Sequence, residues 1–157
     1  MEDKIKTIIQ RLKKSQKKIT PQREKVIEFL FTSNTENNIN FLSHPTAEEI
    51  HTKLQNIEEG ISISTVYNTL ELLKDQNLIE EFATPMINER GKSSAIRIET
   101  NLKPHFNLIC SKCHKIEDLM LSNELKFLQI TILSERQFSV NKYEFYGTCS
   151  ICKNSES

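Results

Sequence analysis

The chain has 157 residues, 37% of them apolar, and its 21 Lys/Arg balance 21 Asp/Glu to a formal net charge of zero. That length suits one domain or two small ones, and no run approaches the ~18 apolar residues that a membrane span requires. The N-terminus, MEDKIKTIIQRLKK, lacks the apolar core of a secretory signal, so a cytoplasmic protein with no membrane partner is expected.

The charge is unevenly spread. Residues 1–25 hold nine Lys/Arg against three acids, leaving twelve basic and eighteen acidic residues for the remainder. A basic arm on an acidic body predicts a polyanion partner at one end; the plainer reading is a solvated lysine-rich helix face.

Ile5, Ile8, Ile9 and Leu12 recur at helical spacing within residues 3–18. Thr20-Pro21 reads as an N-cap followed by a first-turn proline, opening a helix that packs through Val26, Ile27, Leu30 and Phe31. TSNTENNIN, 32–40, has the composition of a loop. Thr46 with Glu49 three residues later forms a capping box, and Ile50, Leu54 and Ile57 continue an apolar stripe until Gly60. Ser62 or Ser64 opens a further helix, with Val66, Leu70 and Leu73 inward and Tyr67, Asn68 and Glu71 outward, before a strand over 78–82.

Helices with short connections followed by a strand pair predict a winged helix-turn-helix, whose last helix enters the major groove of DNA. Ser64, Thr65, Tyr67, Asn68 and Thr69 on its outer face are suited to phosphate and base-edge contacts. A generic three-helix interaction domain would share the pattern.

The second half changes period. Residues 95–99, 106–110 and 116–119 alternate like strands, 121–134 reads as a helix through Leu125, Leu128, Ile132 and Leu133, and 140–146 returns as a strand. The stretch PMINERGKSS, 85–94, is expected as a hinge between domains 1–84 and 95–157. The fold class expected is α+β, a winged helix followed by a small α/β domain.

Four cysteines fall in two pairs, Cys110-x-x-Cys113 and Cys149-x-x-Cys152. Cytosolic thiols stay reduced, so such pairs point to metal or catalysis more than to disulfides. Together they supply the four thiolates of a closed zinc site, which would staple the C-terminal strand onto the sheet across the 35 intervening residues. One CxxC alone would equally spell a thioredoxin-like redox pair; two, each closing a predicted strand, favour structural Zn(II). His114 is expected as a surface residue of the turn, and His51 as one on the solvent side of its helix.

With these motifs placed, the chain resembles the ferric uptake regulator (Fur) family, most closely its peroxide-stress (PerR) branch. The resemblance rests on ITPQREKVI (19–27), HPTAEEI (44–50), STVYNTLELL (64–73), NLIEE (77–81), HFNLICSKCHKIEDL (105–119) and YGTCSIC (146–152), in the family's order. It implies a homodimeric repressor with an N-terminal domain that reads an operator in double-stranded DNA and a C-terminal dimerisation domain. It also implies Zn(II) on Cys110, Cys113, Cys149 and Cys152.

The resemblance further implies a regulatory Fe(II) or Mn(II) at the hinge, built in the PerR branch from three histidines and two aspartates. Iron there reacts with peroxide and oxidises a ligand histidine, releasing the DNA. His44, His105 and Asp118 match that pattern, and Asp118 rather than Glu favours the PerR branch. Asn107 stands where a histidine is expected, and Arg97 where an aspartate is; Glu99 is the stand-in carboxylate. Tyr67 is implied to face DNA, Arg23 to reach a minor groove, and Lys17 and Lys18 to touch phosphates. Three rivals follow: a regulator with a degenerate hinge site that binds DNA constitutively or senses through thiols, an iron or zinc sensor, and a CxxC oxidoreductase, for which the βαβ context is lacking.

Overall fold

A computed structural model describes residues 2–15, 17–32, 44–57, 60–88, 91–103, 105–120, 135–136 and 143–155. The chain divides into two units, Met1–Leu102 and Lys103–Ser157. Among the described residues no helix is long and apolar enough to cross a membrane.

The first unit contains α1 (Glu2–Lys14), α2 (Pro21–Thr32), α3 (Ala47–Gln55) and α4 (Ile63–Asp75), followed by the antiparallel strands β1 (Glu80–Asn88) and β2 (Gly91–Glu99). Helix α1 ends four residues short of the expected 18, with Arg11, Lys13 and Lys14 in its last turn, where cations complement the helix dipole. Lys17 and Lys18 therefore lie in the connection to α2, which begins where Thr20 Oγ1 accepts the Arg23 N–H at 3.4 Å.

The capping box at α3 is complete: Thr46 Oγ1 accepts from the Glu49 N–H at 3.2 Å while Glu49 Oε2 accepts from the Thr46 N–H at 2.8 Å. Ser62 rather than Ser64 caps α4, accepting from the Thr65 N–H at 3.2 Å. The apolar faces meet in a core of Leu12, Val26, Ile27, Ile50, Val66, Leu70 and Leu73, joined by Ile79 and Ile98. Each such side chain contributes about 1.5–3 kcal/mol when fully buried.

Three expectations change here. Ile57 is 61% exposed because α3 stops at Gln55, so the stripe never reaches it. Thr69 is fully buried, not outward, and its hydroxyl donates to the Thr65 carbonyl at 2.6 Å. His51 is half-buried, with Nε2 3.0 Å from the Ile61 carbonyl.

The expected hinge is also relocated. Residues of 85–94 pair across the β1–β2 hairpin, Pro85 opposite Ser94 and Asn88 opposite Gly91, and residues 95–99 continue β2. The boundary between the units falls after Leu102. Polar, Gly- and Pro-containing sequence serves a wing tip as well as a linker, and composition alone does not separate them.

Among its described residues the second unit forms a three-stranded sheet in the order β4-β3-β5, with β3 (His105–Cys110) at its centre. Strand β4 (Ile116–Met120) runs antiparallel to β3 and β5 (Tyr143–Gly147) parallel to it, followed by the short helix α5 (Ser150–Asn154). Phe106 meets Tyr143 and Phe145 edge-on at 5.0 Å each, a favoured aromatic geometry. The helix expected over 121–134 and the start of the strand expected over 140–146 lie outside the described residues.

Candidate metal centre and nucleic-acid interface

Cys110 ends β3 and Cys113 follows in the turn to β4; Cys149 follows β5 and N-caps α5, which carries Cys152. The parallel register sets Cys110 beside Gly147, and the Ser111 N–H donates to the Gly147 carbonyl at 2.8 Å. That pairing closes the gap that sequence spacing left open. The four Sγ atoms lie within 4.8 Å of one another, and Cys113 Sγ is 3.7 Å from Cys149 Sγ. A tetrahedral zinc with Zn–S of about 2.3 Å requires S···S edges of roughly 3.8 Å, so the donors fit that ion. His114, at φ 60°, forms the turn and donates its N–H to the Cys110 carbonyl at 2.9 Å.

The thiols do not titrate alike. Backbone N–H groups of Cys113, Cys149 and Lys112 directed at Cys110 draw it down to about 6, the Cys149 N–H lying 3.3 Å from the sulfur. The neighbouring Cys113 and Cys149 sulfurs push Cys152 up to about 12. Backbone dipoles stabilise one thiolate while crowding opposes the fourth, and a divalent cation removes that conflict.

Each unit also carries a pair of the other candidate ligands. In the first, His44 precedes α3 at φ 53°, and its Nε2 lies 2.7 Å from Glu99 Oε2. Both residues are buried, and Phe82 meets the His44 ring edge-on at 5.5 Å. Arg97 points its Nη1 to Glu49 Oε2 at 2.8 Å and to the His44 carbonyl at 3.4 Å, so its side chain is engaged with the start of α3.

In the second unit, His105 Nδ1 lies 2.7 Å from the Lys103 carbonyl. A carbonyl only accepts, so Nδ1 carries a proton, and in the neutral ring Nε2 is the nitrogen whose lone pair can take a metal. Nε2 is 3.9 Å from Asp118 Oδ2. Asn107 pairs with Asp118 in the ladder and shares the face of His105. It is 1% exposed, and among the described residues neither its Oδ1 nor its Nδ2 has a hydrogen-bond partner. Such an orphaned amide costs about 1–3 kcal/mol, and a cation accepting Oδ1 as ligand would relieve part of it.

On α4, Ser64, Tyr67 and Asn68 are exposed and Thr65 is half-buried. Ser62 Oγ bonds both Ser64 Oγ at 2.8 Å and Thr65 Oγ1 at 2.9 Å, gathering three hydroxyls at a helix N-terminus, a place suited to phosphate. Ser62 was foreseen as a cap, not as part of this cluster. Tyr67 Oη donates to Glu48 of α3, which lowers the carboxyl and raises the phenol. Lys17 and Lys18 are exposed, whereas Arg23 folds back to donate to the Lys18 carbonyl at 2.6 Å.

A family model described as the ferric uptake regulator family matches residues 14–147. The peroxide-responsive repressor PerR of Staphylococcus aureus is 30% identical over 156 residues, covering 98% of this chain and 95% of that protein. Among solved structures, the Helicobacter pylori ferric uptake regulator Fur, described as having three functional metal-binding sites, is similar with a TM-score of 0.72 at 28% identity. That likeness covers 98% of this chain and 96% of the other. A zinc-bound manganese uptake regulator matches with a TM-score of 0.64 at 27% identity, over 91% of this chain and 98% of its own.

Proposed function

Because the chain belongs to the ferric uptake regulator family, we propose that it is a zinc-stabilised, homodimeric repressor whose operator affinity is set by Fe(II) or Mn(II). Members of this family are metal-responsive transcriptional regulators that bind DNA as dimers, and they are not enzymes. Cys110, Cys113, Cys149 and Cys152 are the donors for Zn(II), which supplies a closed structural cross-link.

The regulatory ion would take His44 and Glu99 from the first unit and His105, Asn107 and Asp118 from the second. Imidazole nitrogen with carboxylate and amide oxygen suits Fe(II) or Mn(II). The observation that carries this reading is the second-unit donor set: His105 with Nδ1 on the Lys103 carbonyl and Nε2 toward Asp118, and the buried amide of Asn107 unpartnered among the described residues. The identity with a peroxide-responsive repressor supports peroxide as the signal, with His44 and His105 as the oxidisable ligands. DNA would be read by Ser64, Thr65, Tyr67 and Asn68 in the major groove, with Arg23 in a minor groove and Lys17 and Lys18 on phosphates, in the cytoplasm.

Fluorescence anisotropy on the protein's own promoter DNA tests this, using zinc-replete, otherwise metal-free protein at fixed salt, with and without Mn(II). The expected result is an affinity gain of about tenfold or more that His105→Ala abolishes, a typical coupling between sites. Equal, tight binding in both conditions would sink metal control. It would leave the second reading, a degenerate hinge site with DNA bound constitutively or with the thiols as the sensor.

A further inference from the structure

Arg97 occupies the position where the PerR-branch pattern calls for an acidic ligand, yet it does not retreat to the surface: it is 8% exposed. A buried guanidinium is costly unless it is paired and hydrogen-bonded, so its partners decide its role. Nη1 donates to Glu49 Oε2 at 2.8 Å and to the His44 carbonyl at 3.4 Å. The same Glu49 oxygen accepts the Thr46 N–H in the capping box of α3. One residue along β2, the Ile98 N–H donates to the Pro45 carbonyl at 2.9 Å. The next residue, Glu99, meets His44 Nε2 at 2.7 Å.

Three successive residues of β2 thus grip the 44–49 segment at His44, Pro45 and Glu49. His44 needs that grip. Its φ of 53° lies in the left-handed region that a residue with a side chain rarely adopts. Such conformations persist where the surroundings over-determine them.

We propose that Arg97 is a positioning residue for His44. By holding the His44 carbonyl and the first turn of α3 at once, it fixes the left-handed backbone and directs Nε2 to Glu99 before any metal arrives. Glu49 offsets the added positive charge. This internal cation performs part of the organising otherwise left to the ion. Metal then meets donors already in place, so the first-unit donors gain affinity from preorganisation and move little on loading. The pinned turn also carries Glu48, which holds the exposed Tyr67 of α4. The arm of this inference that concerns metal affinity rests on the function proposed above; the arm that concerns the His44 ring does not.

The test compares wild type, Arg97→Met, Arg97→Lys and Glu49→Gln as full-length, zinc-replete, otherwise metal-free protein. Imidazole nitrogen–proton NMR reports the His44 ring, calorimetric titration with Mn(II) reports affinity, and thermal unfolding reports stability. In wild type, the His44 Nε2 proton should be visible and slow to exchange. In Arg97→Met it should exchange at least about tenfold faster, with Mn(II) affinity falling by about tenfold, the scale on which lost preorganisation is felt. Arg97→Lys, which keeps the charge without the fork, should lie between, and it and Glu49→Gln serve if Arg97→Met does not fold. An unchanged His44 signal in folded variants, with only a lower melting temperature, would overturn the proposal and reduce Arg97 to an ordinary ion pair. If wild type binds no Mn(II) at all, metal regulation fails while the NMR comparison still decides the role of Arg97.

Discussion

The two units are held together by different physics. The first buries a contiguous set of aliphatic side chains contributed by four helices, with Leu12, Ile27, Ile50, Leu70 and Leu73 at 2% exposure or less. The second, among its described residues, buries Phe106, Ile109, Cys110 and Ile116, while Leu119, Met120, Phe145 and Tyr146 stay about half exposed. The apolar side chains buried among those described residues are few for offsetting the entropy of ordering a backbone; a cation held by the four convergent sulfurs would add a cross-link. The contrast sets an aliphatic core in one unit against a thiol set able to hold a cation in the other.

The largest effect should come from breaking the second term of that contrast. Stripping Zn(II), or replacing Cys113 by Ser, removes a binding free energy that is about 10–16 kcal/mol in small structural zinc sites. Amide exchange protection should vanish from β3, β4 and β5 while α2 and α4 remain protected. Uniform loss across both units would mean that they fold as one.

The converse perturbation, Leu70→Ala, removes a core side chain that is 2% exposed. A loss of about 2–5 kcal/mol is expected, read by urea unfolding followed at α4, with zinc content and the signals of β3 unchanged.

The smallest effect sharpens the electrostatic detail. The hydrogen bond from Tyr67 holds the Glu48 carboxyl below its usual 4.5 in the folded state. A depressed folded value means that this contribution is fully present above 4.5 and is lost as pH falls through the lower, folded value. Both groups are solvent-exposed, so screening limits the effect to a few tenths of a kcal/mol. Tyr67→Phe should flatten the acid limb of the stability curve by that amount, and an unchanged limb would show that the contact does not persist in solution.

What the sequence disclosed follows from how local each signal is. Thr46 and Glu49 announce their capping box within four residues, and each CxxC names its own turn, so both were legible. The join between the cysteine pairs was inferred from chemistry but needed the parallel β3–β5 register to explain it. The 85–94 stretch misled because a wing tip and a linker share a composition. Thr69 misled because its hydroxyl is satisfied within its own helix by the Thr65 carbonyl, which lets a polar residue sit in the core. Arg97 was legible only as a missing ligand. Its partner Glu49 is 48 residues away, and no periodicity reports a contact at that range.

The parallel pairing of β3 with β5 has a consequence for how the molecule is made. Parallel neighbours cannot be joined by a tight turn, and here the second half of the thiol set follows the first by 35 residues. Contacts so distant in sequence close slowly. During synthesis, every residue of the first unit's core has emerged well before Cys149 and Cys152 exist. The nascent chain therefore passes through a stage in which the helical half is complete and Cys110 and Cys113 stand as an open, half-formed claw. The synthesis of Cys149 and Cys152 decides when that claw shuts.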